Sequence, residues 1–275
     1  MIVEALFVLV ALVAVPAGLD VLTAPGPPPL IDVARRATPV AGIALAVSLL
    51  LPPGPWAVLA ALPWVVTVGA LGIAALVDRV RRGPSVDAAV IPEAALGFAA
   101  IGGLLLLDHR IGADPFGFSQ FLVLLAAVHF TAAGFVMLTA ITALERHRGG
   151  RPPLVAGGLA IVGGPLTAIG FFGLPLVNIA GALLTATAGL IVGVLHLGVA
   201  RSLGRGAAAA LLATAGACLL VTMPMAVTWA IGLLTGITIL PLDLMTRVHG
   251  SLNAVGFSVS AMLGWRLVLR QGADA

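Results

Sequence analysis

Long apolar runs recur from one end of the chain to the other, and they constrain its fold more than any other feature. Nine runs cover roughly residues 2–23, 38–52, 56–77, 91–107, 118–143, 154–172, 175–198, 207–236 and 241–270. A helix of about 20 residues crosses the hydrocarbon core of a bilayer. Strands of a membrane barrel would instead be about ten residues long with alternating polarity. The sequence therefore predicts an all-α, polytopic transmembrane helical bundle with about nine spans, forming one domain over residues 1–275.

The composition excludes several classes of function. Hydrophobic residues make up 60% of the chain and charged residues 9%, against about 25% charged residues in soluble domains. The chain has no GxxxxGK[ST] loop, no GxGxxG after a strand and no HExxH motif, so we expect neither nucleotide-driven transport nor zinc proteolysis. His129 and His249 are of a residue type that can ligate haem or a metal, but no other feature of the sequence supports such a site, so we expect no cofactor or metal. The net charge is only +3, so we expect no nucleic-acid partner. The expected partners are membrane lipids and a lipid-soluble small molecule.

The arginines predict how the chain is oriented in the membrane. All 14 basic residues are arginine. With nine spans, twelve of them fall on one side: Arg35, Arg36, Arg79, Arg81, Arg82, Arg146, Arg148, Arg151, Arg201, Arg205, Arg266 and Arg270. The loops of the other side hold only Arg110, beside Asp108 and Asp114. By the positive-inside rule, the amino terminus lies outside and the carboxyl terminus is cytoplasmic, in the cytoplasmic (inner) membrane. The first span has no basic leader and carries Glu4, so we expect it to be retained.

The stretch RVHGSLNAVGF, beginning at Arg247, places polar groups inside the ninth span. Asp243 and Arg247 are four residues apart, and so are His249 and Asn253. On an α-helix both pairs fall within one half of the circumference, so they can face one internal chamber. Ionisable residues at membrane depth are functional candidates by default. In the alternative reading, Asp243 caps the helix and pairs with Arg247, while His249 and Asn253 only bond to neighbouring helices.

A second polar stretch, HFTAAGF, lies in the fifth span and places His129 within the membrane. TAAGF at residues 131–135 resembles NAVGF at residues 253–257, and each follows a histidine. This echo indicates either two similar helices packed face to face or a chance match. Glu4, entering from the outer side, and Asn178, in the outer half of the seventh span, can reach the same chamber.

Other residues are predicted to be structural. Trp56, Trp64 and Trp265 lie near span ends and are typical of the aromatic belt at a membrane interface. His196 lies near the predicted cytoplasmic boundary, where we expect it to be solvated. The stretches GGLAIVGG and GALLTATAG have the small-residue spacing that allows close contact between helices.

The two histidine stretches carry a resemblance to a known family. HFTAAGF followed by HGSLNAVGF resembles the paired histidine motifs of YndJ-like bacterial membrane proteins, over roughly the fourth to ninth spans. This resemblance implies an integral membrane protein and adds little about activity. In size and all-membrane build the chain is also similar to the integral-membrane terpene cyclases of bacterial and fungal natural-product pathways, a likeness of architecture without matched motifs.

The first functional hypothesis is a membrane-embedded cyclase or isomerase of a lipid-soluble isoprenoid. Such chemistry needs a proton donor, aromatic faces that stabilise a cation, and a base that removes the final proton. The candidates are Asp243 or Glu4 as donor, His129 or His249 as base, Asn253 to orient the base, and Arg247 as the partner of Asp243; Trp229, Phe135, Asn178 and Phe257 would contact the substrate. Pairing with Arg247 would keep Asp243 ionised and favour Glu4 as the donor.

Two further hypotheses remain open. A small secondary transporter or channel could use the same polar groups as a relay, and Pro224 makes the eighth span a candidate broken helix. Nine spans do not divide into two equal repeats, however. Alternatively, the polar residues could only hold helices together in an accessory subunit. The sequence makes no prediction about oligomeric state.

Overall fold

The computed structural model describes residues 2–23, 29–83, 87–113 and 117–273, and within these ranges the chain is helical, with no strand. In this part of the chain nine helices are long and apolar enough to cross a membrane. They are α1 (Ile2–Thr23), α2 (Pro29–Leu50), α3 (Pro55–Arg82), α4 (Val90–Ile111), α5 (Gln120–Arg148), α6 (Arg151–Gly170), α7 (Pro175–Leu203), α8 (Ala207–Thr235) and α9 (Leu242–Gln271). The prediction of an all-helical bundle with nine spans is confirmed. Asp114, which we placed beside Arg110, lies outside the described residues.

Several helices extend well beyond the apolar runs that predicted them. α2 begins at Pro29, and its first turns contain Asp32, Arg35 and Arg36 rather than a loop. Asp32 accepts ion pairs from Arg35 at 2.8 Å and from Arg36 at 2.7 Å. Arg35 also pairs with Asp20 of α1 at 2.9 Å. These pairs stabilise a charged helical segment that hydropathy alone assigns to a connection.

Polar contacts bring arginine-bearing helix ends together at one end of the bundle. Asp20, near the carboxyl end of α1, binds Arg35 of α2 and also Arg266 of α9, at 3.0 Å. Arg146 of α5 donates to the backbone carbonyl of Leu22 in α1 at 3.1 Å. We call this the arginine-rich end. These contacts agree with the predicted grouping of arginines, while the inside and outside assignment stays a prediction.

Three helices contain π-helical segments, in which the backbone bonds from residue i to i+5 add an extra residue to the turn. The segments are Val10–Ala14 in α1, Phe130–Val136 in α5, and Met245–His249 and Leu252–Val259 in α9. The α1 segment contacts the α5 segment, and both contact Leu252–Val259. Thus α1, α5 and α9 meet where their backbones are irregular.

The two similar sequence stretches lie in this meeting region. TAAGF falls within Phe130–Val136 and NAVGF within Leu252–Val259, and these two segments contact each other. The interpretation of the echo as two similar helices packed together is therefore confirmed. Gly18 of α1 packs closely against Phe135 of α5. A Cβ at Gly18 would lie 2.9 Å from the ring of Phe135.

Helices α6 and α7 contact closely through small residues, as the glycine spacing predicted. A Cβ on Gly163 of α6 would lie 2.8 Å from the backbone nitrogen of Thr185 and 3.0 Å from the carbonyl oxygen of Gly181. Backbone atoms at these distances cannot rotate away, so the glycine is needed for the approach of the two helices.

We expect Gly163→Ala to destabilise the protein by about 1–3 kcal/mol, the usual cost of overpacking a tight contact. Gly158→Ala on the same helix is the matched control, because a Cβ there meets nothing within 4 Å. Unfolding of both variants in detergent measures the difference. Equal stability of the two variants would contradict the close contact.

Three placements predicted near the membrane interface are wrong. Trp64, Trp265 and His196 are buried, whereas Trp56 is exposed as expected. The reason for His196 is that α7 continues to Leu203, so the residue lies about two turns inside the helix. Hydropathy underestimates the length of helices with charged ends, and it therefore places residues near those ends too close to water.

Candidate functional site

His249 and Asn253 of α9 both bond to one residue of α8, Thr222. Nδ1 of His249 lies 3.1 Å from the carbonyl oxygen of Thr222. The hydroxyl of Thr222 donates to Oδ1 of Asn253 at 3.1 Å. Thr222 is fully buried, so this residue fixes both polar side chains of α9 against α8.

The bond to Thr222 determines the tautomer of a neutral His249. A carbonyl oxygen only accepts hydrogen bonds, so Nδ1 must carry the proton and donate it. Nε2 then presents a lone pair. Within the described part of the chain, Nε2 of His249 has no hydrogen-bond partner. The side chain is thus held at one ring nitrogen and available as a proton acceptor at the other.

His129 of α5 is arranged in the same way. Its Nδ1 lies 2.7 Å from the carbonyl oxygen of Leu125, one turn earlier in the helix. Nε2 is again the nitrogen with the lone pair, and no described residue bonds to it. His129 is exposed on the surface of its span. It is also close enough to His249 for the two side chains to interact electrostatically.

His196 shows the contrasting arrangement. Its Nδ1 bonds to the carbonyl oxygen of Val192 at 2.8 Å. Its Nε2 accepts a hydrogen bond from Nε1 of Trp265 at 3.0 Å. Both ring nitrogens are occupied and the residue is fully buried. His196 therefore joins α7 to α9 and has no free nitrogen for chemistry.

Asp243 and Arg247 do not face the two histidines. The Nε of Arg247 donates to Asp243 at 2.8 Å, and the two side chains are 67% and 71% exposed. Asp243 lies in the first turn of α9, directly after Pro241, where a carboxylate favours the helix dipole. The ion pair of the alternative reading is also present.

Glu4 belongs to a different polar group, at the end of the bundle opposite the arginine-rich end. It interacts electrostatically with His109 and Arg110 at the end of α4. Arg110 is only 3% exposed and donates to the carbonyl oxygen of Leu51, while its own carbonyl accepts from the backbone nitrogen of Gly54 at 2.9 Å. Our placement of Arg110 in a loop is wrong, because α4 continues to Ile111.

The remaining candidates lie in separate contacts. The amide of Asn178 donates to the carbonyl oxygen of Thr167 at 3.0 Å between α7 and α6. The ring of Trp229 lies 6.1 Å from that of Phe171, and Phe257 lies 6.3 Å from His196. Phe135 is fully buried against Gly18.

Sequence reasoning missed Thr222. Its only signal is a hydroxyl two residues before Pro224, in a helix that also contains Thr214, Thr228 and Thr235. Threonine in a helix usually bonds to a carbonyl of the preceding turn, as Thr228 does to Pro224 at 2.9 Å. Nothing in the sequence distinguishes a threonine that bonds across to another helix.

The apolar helices define a multi-pass helical membrane protein, and its interior contains the buried polar residues His196, Thr222 and Asn178. The chain belongs to the YndJ-like family: the family model, described as YndJ-like protein, matches residues 5–257. The matched residues include both histidine stretches, HFTAAGF and HGSLNAVGF, which is consistent with the resemblance to this family that these stretches indicated. No curated protein and no solved structure matches the chain.

Proposed function

We propose that the protein is a membrane-embedded enzyme that cyclises or isomerises a lipid-soluble isoprenoid by proton transfer, in the cytoplasmic membrane. The observation that supports the proposal most directly is the shared arrangement of His129 and His249. Each imidazole donates Nδ1–H to a backbone carbonyl and keeps the lone pair of Nε2. A fixed base with a free lone pair is what removal of a proton from a carbocation requires.

The chemistry balances without a cofactor. An acid adds a proton to an alkene or epoxide of the substrate, and the resulting cation forms a new carbon–carbon bond or shifts its double bond. A histidine Nε2 then removes a proton from a neighbouring carbon, and the electrons of that C–H bond form the new alkene. Nothing is oxidised or reduced, so the product is an isomer of the substrate.

The surroundings of the two histidines suggest their roles. His129 is exposed within its span, so a substrate dissolved in the bilayer can reach it laterally. His249 is held by Thr222, with Asn253 beside it, which supports orientation of the base. Asp243 is bound to Arg247 in an exposed ion pair.

Glu4 is therefore the proton donor in this proposal. The first turns of α1, Ile2–Leu9, contact both the Gln120–His129 part of α5 and the Met245–His249 part of α9. Glu4 lies on this segment and is the one acidic residue in the first half of α1. The contacts of Ile2–Leu9 with both histidine-bearing segments support the assignment.

Membranes that contain the protein, incubated in D₂O with prenylated phenols, quinones and their epoxides, test the proposal. We expect an isomer of the substrate in which one hydrogen is replaced by deuterium from the solvent, detected by liquid chromatography and mass spectrometry. Membranes without the protein are the control. Complete recovery of unlabelled substrate from each class would contradict the proposal.

One observation favours transport as the second candidate function. Irregular helices mark the substrate sites of many transporters, and here α1, α5 and α9 contain contacting π-helical segments. Proteoliposomes loaded with a pH-sensitive dye distinguish the two functions. Proton uptake coupled to an added solute, without any change in that solute's structure, would support transport over catalysis.

A further inference from the structure

A second polar site, unrelated to the histidines, lies at the arginine-rich end. A cavity of about 770 Å³ opens between the ends of α1, α2, α3, α4 and α5. Its charged lining, among the described residues, consists of Asp78, Arg81, Arg82, Glu93, Glu145 and Arg146. The volume is in the range of small-molecule sites.

In the part of the chain that the structure describes, several charged residues of the cavity are paired with one another, whereas Arg81 is not. Arg82 binds both Asp78, at 2.6 Å, and Glu93. Glu93 also pairs with Arg79 at 3.3 Å. Arg81 lines the cavity, is exposed, and has no ion-pair partner in the described ranges.

Arg146 lies on another wall of the same cavity. Its guanidinium donates to the backbone carbonyls of Val21 and Leu22, at 3.0 and 3.1 Å, and it interacts electrostatically with the neighbouring Glu145. These carbonyls end α1, where the helix dipole is negative and favours a cation. The bonds fix Arg146 at the wall of the cavity, which Arg81 of α3 also lines.

The cavity also has an apolar wall. Leu30 of α2 and Ile73 and Val77 of α3 line it and are exposed on the surface of the bundle. An occupant therefore meets cations at the helix ends and hydrocarbon along the spans. A soluble phosphate would leave this wall uncovered, whereas the chains of a lipid would cover it.

We propose that this cavity binds the phosphate headgroup of an anionic phospholipid through Arg81 and Arg146, with the acyl chains lying along α2 and α3. Basic pockets between transmembrane helices are established sites for anionic headgroups. The proposal is independent of the histidine chemistry, because none of the lining residues belongs to that site.

Native mass spectrometry of the full-length protein in detergent measures the binding. Phosphatidylglycerol, phosphatidylcholine and glycerol phosphate are added separately. We expect a saturable complex with phosphatidylglycerol and little with the other two. Arg81→Gln should weaken that complex about fivefold, the effect of one basic residue near an anionic lipid surface.

Arg205→Gln is the matched control, because it removes the same charge from an exposed position at the arginine-rich end that does not line the cavity. Ala74→Phe fills the cavity while keeping every charge, and it should also weaken the complex. Equal loss with Arg81→Gln and Arg205→Gln would reduce the effect to general attraction and overturn the site. Equal binding of phosphatidylcholine would overturn the headgroup assignment, and binding of glycerol phosphate alone would overturn the lipid.

Discussion

Under the proposed function, His249→Asn is expected to lower turnover of an isoprenoid substrate by about 10²–10⁴-fold, the usual contribution of a positioned general base. The asparagine amide nitrogen takes the position of Nδ1 and can still donate to the carbonyl oxygen of Thr222, the bond that His249 makes at 3.1 Å. The variant lacks Nε2 and the outer part of the imidazole ring. His129→Asn tests the other histidine in the same way, since its bond to Leu125 at 2.7 Å is also made by Nδ1. Initial rates at saturating substrate, divided by the amount of folded protein, measure both losses.

His196→Asn is the matched control for these variants. Both of its ring nitrogens are already bonded, to Val192 and Trp265, so it should reduce stability and leave turnover per folded molecule unchanged. If only one of His129 and His249 matters, that residue is the base and the other is structural. Full turnover in both asparagine variants would exclude either histidine as the base, and an equal loss in His196→Asn would attribute the effect to folding.

Hydropathy predicted the nine helices because each span is a continuous apolar run, and this signal depends only on neighbouring residues. The helix ends were not predictable in the same way. The first turns of α2 carry Asp32, Arg35 and Arg36, which look like a loop until the partner of Arg35 on α1, Asp20, is known. Contacts between helices determine where such helices begin and end, and a hydropathy profile carries no information about these contacts.

The grouping of polar residues on α9 depended on an assumption about the backbone. We placed Asp243, Arg247, His249 and Asn253 on one half of a regular α-helix. The π-helical segments Met245–His249 and Leu252–Val259 add residues to the turns, so α-helical periodicity no longer gives their directions. In the structure the ion pair is exposed, whereas His249 and Asn253 face α8.

Bonds between distant helices were also beyond sequence reasoning. His249 and Thr222 are 27 residues apart, and Trp265 and His196 are 69 residues apart. Both contacts depend on which helices are neighbours, and local periodicity carries no such information. The sequence therefore could not show that His249 has a ring nitrogen without a hydrogen bond to any described residue and that His196 has none.

Trp265→Phe is expected to destabilise the protein by about 1–3 kcal/mol, because it removes one partner of a buried hydrogen bond. Phenylalanine keeps an aromatic ring beside His147 and His196, which lie 5.5 and 5.9 Å from the ring of Trp265. It cannot donate to Nε2 of His196, and that nitrogen is then buried without a partner. Unfolding in detergent measures the loss.

Trp56→Phe makes the same chemical change at a residue that is 75% exposed, and we expect a change within about 0.5 kcal/mol. The double variant Trp265→Phe/His196→Leu provides a second test. Replacing both partners by apolar groups removes the unsatisfied nitrogen, so the pair should be more stable than Trp265→Phe alone. A double variant that is less stable than the single one would show that ring packing, and not the hydrogen bond, dominates the joint between α7 and α9.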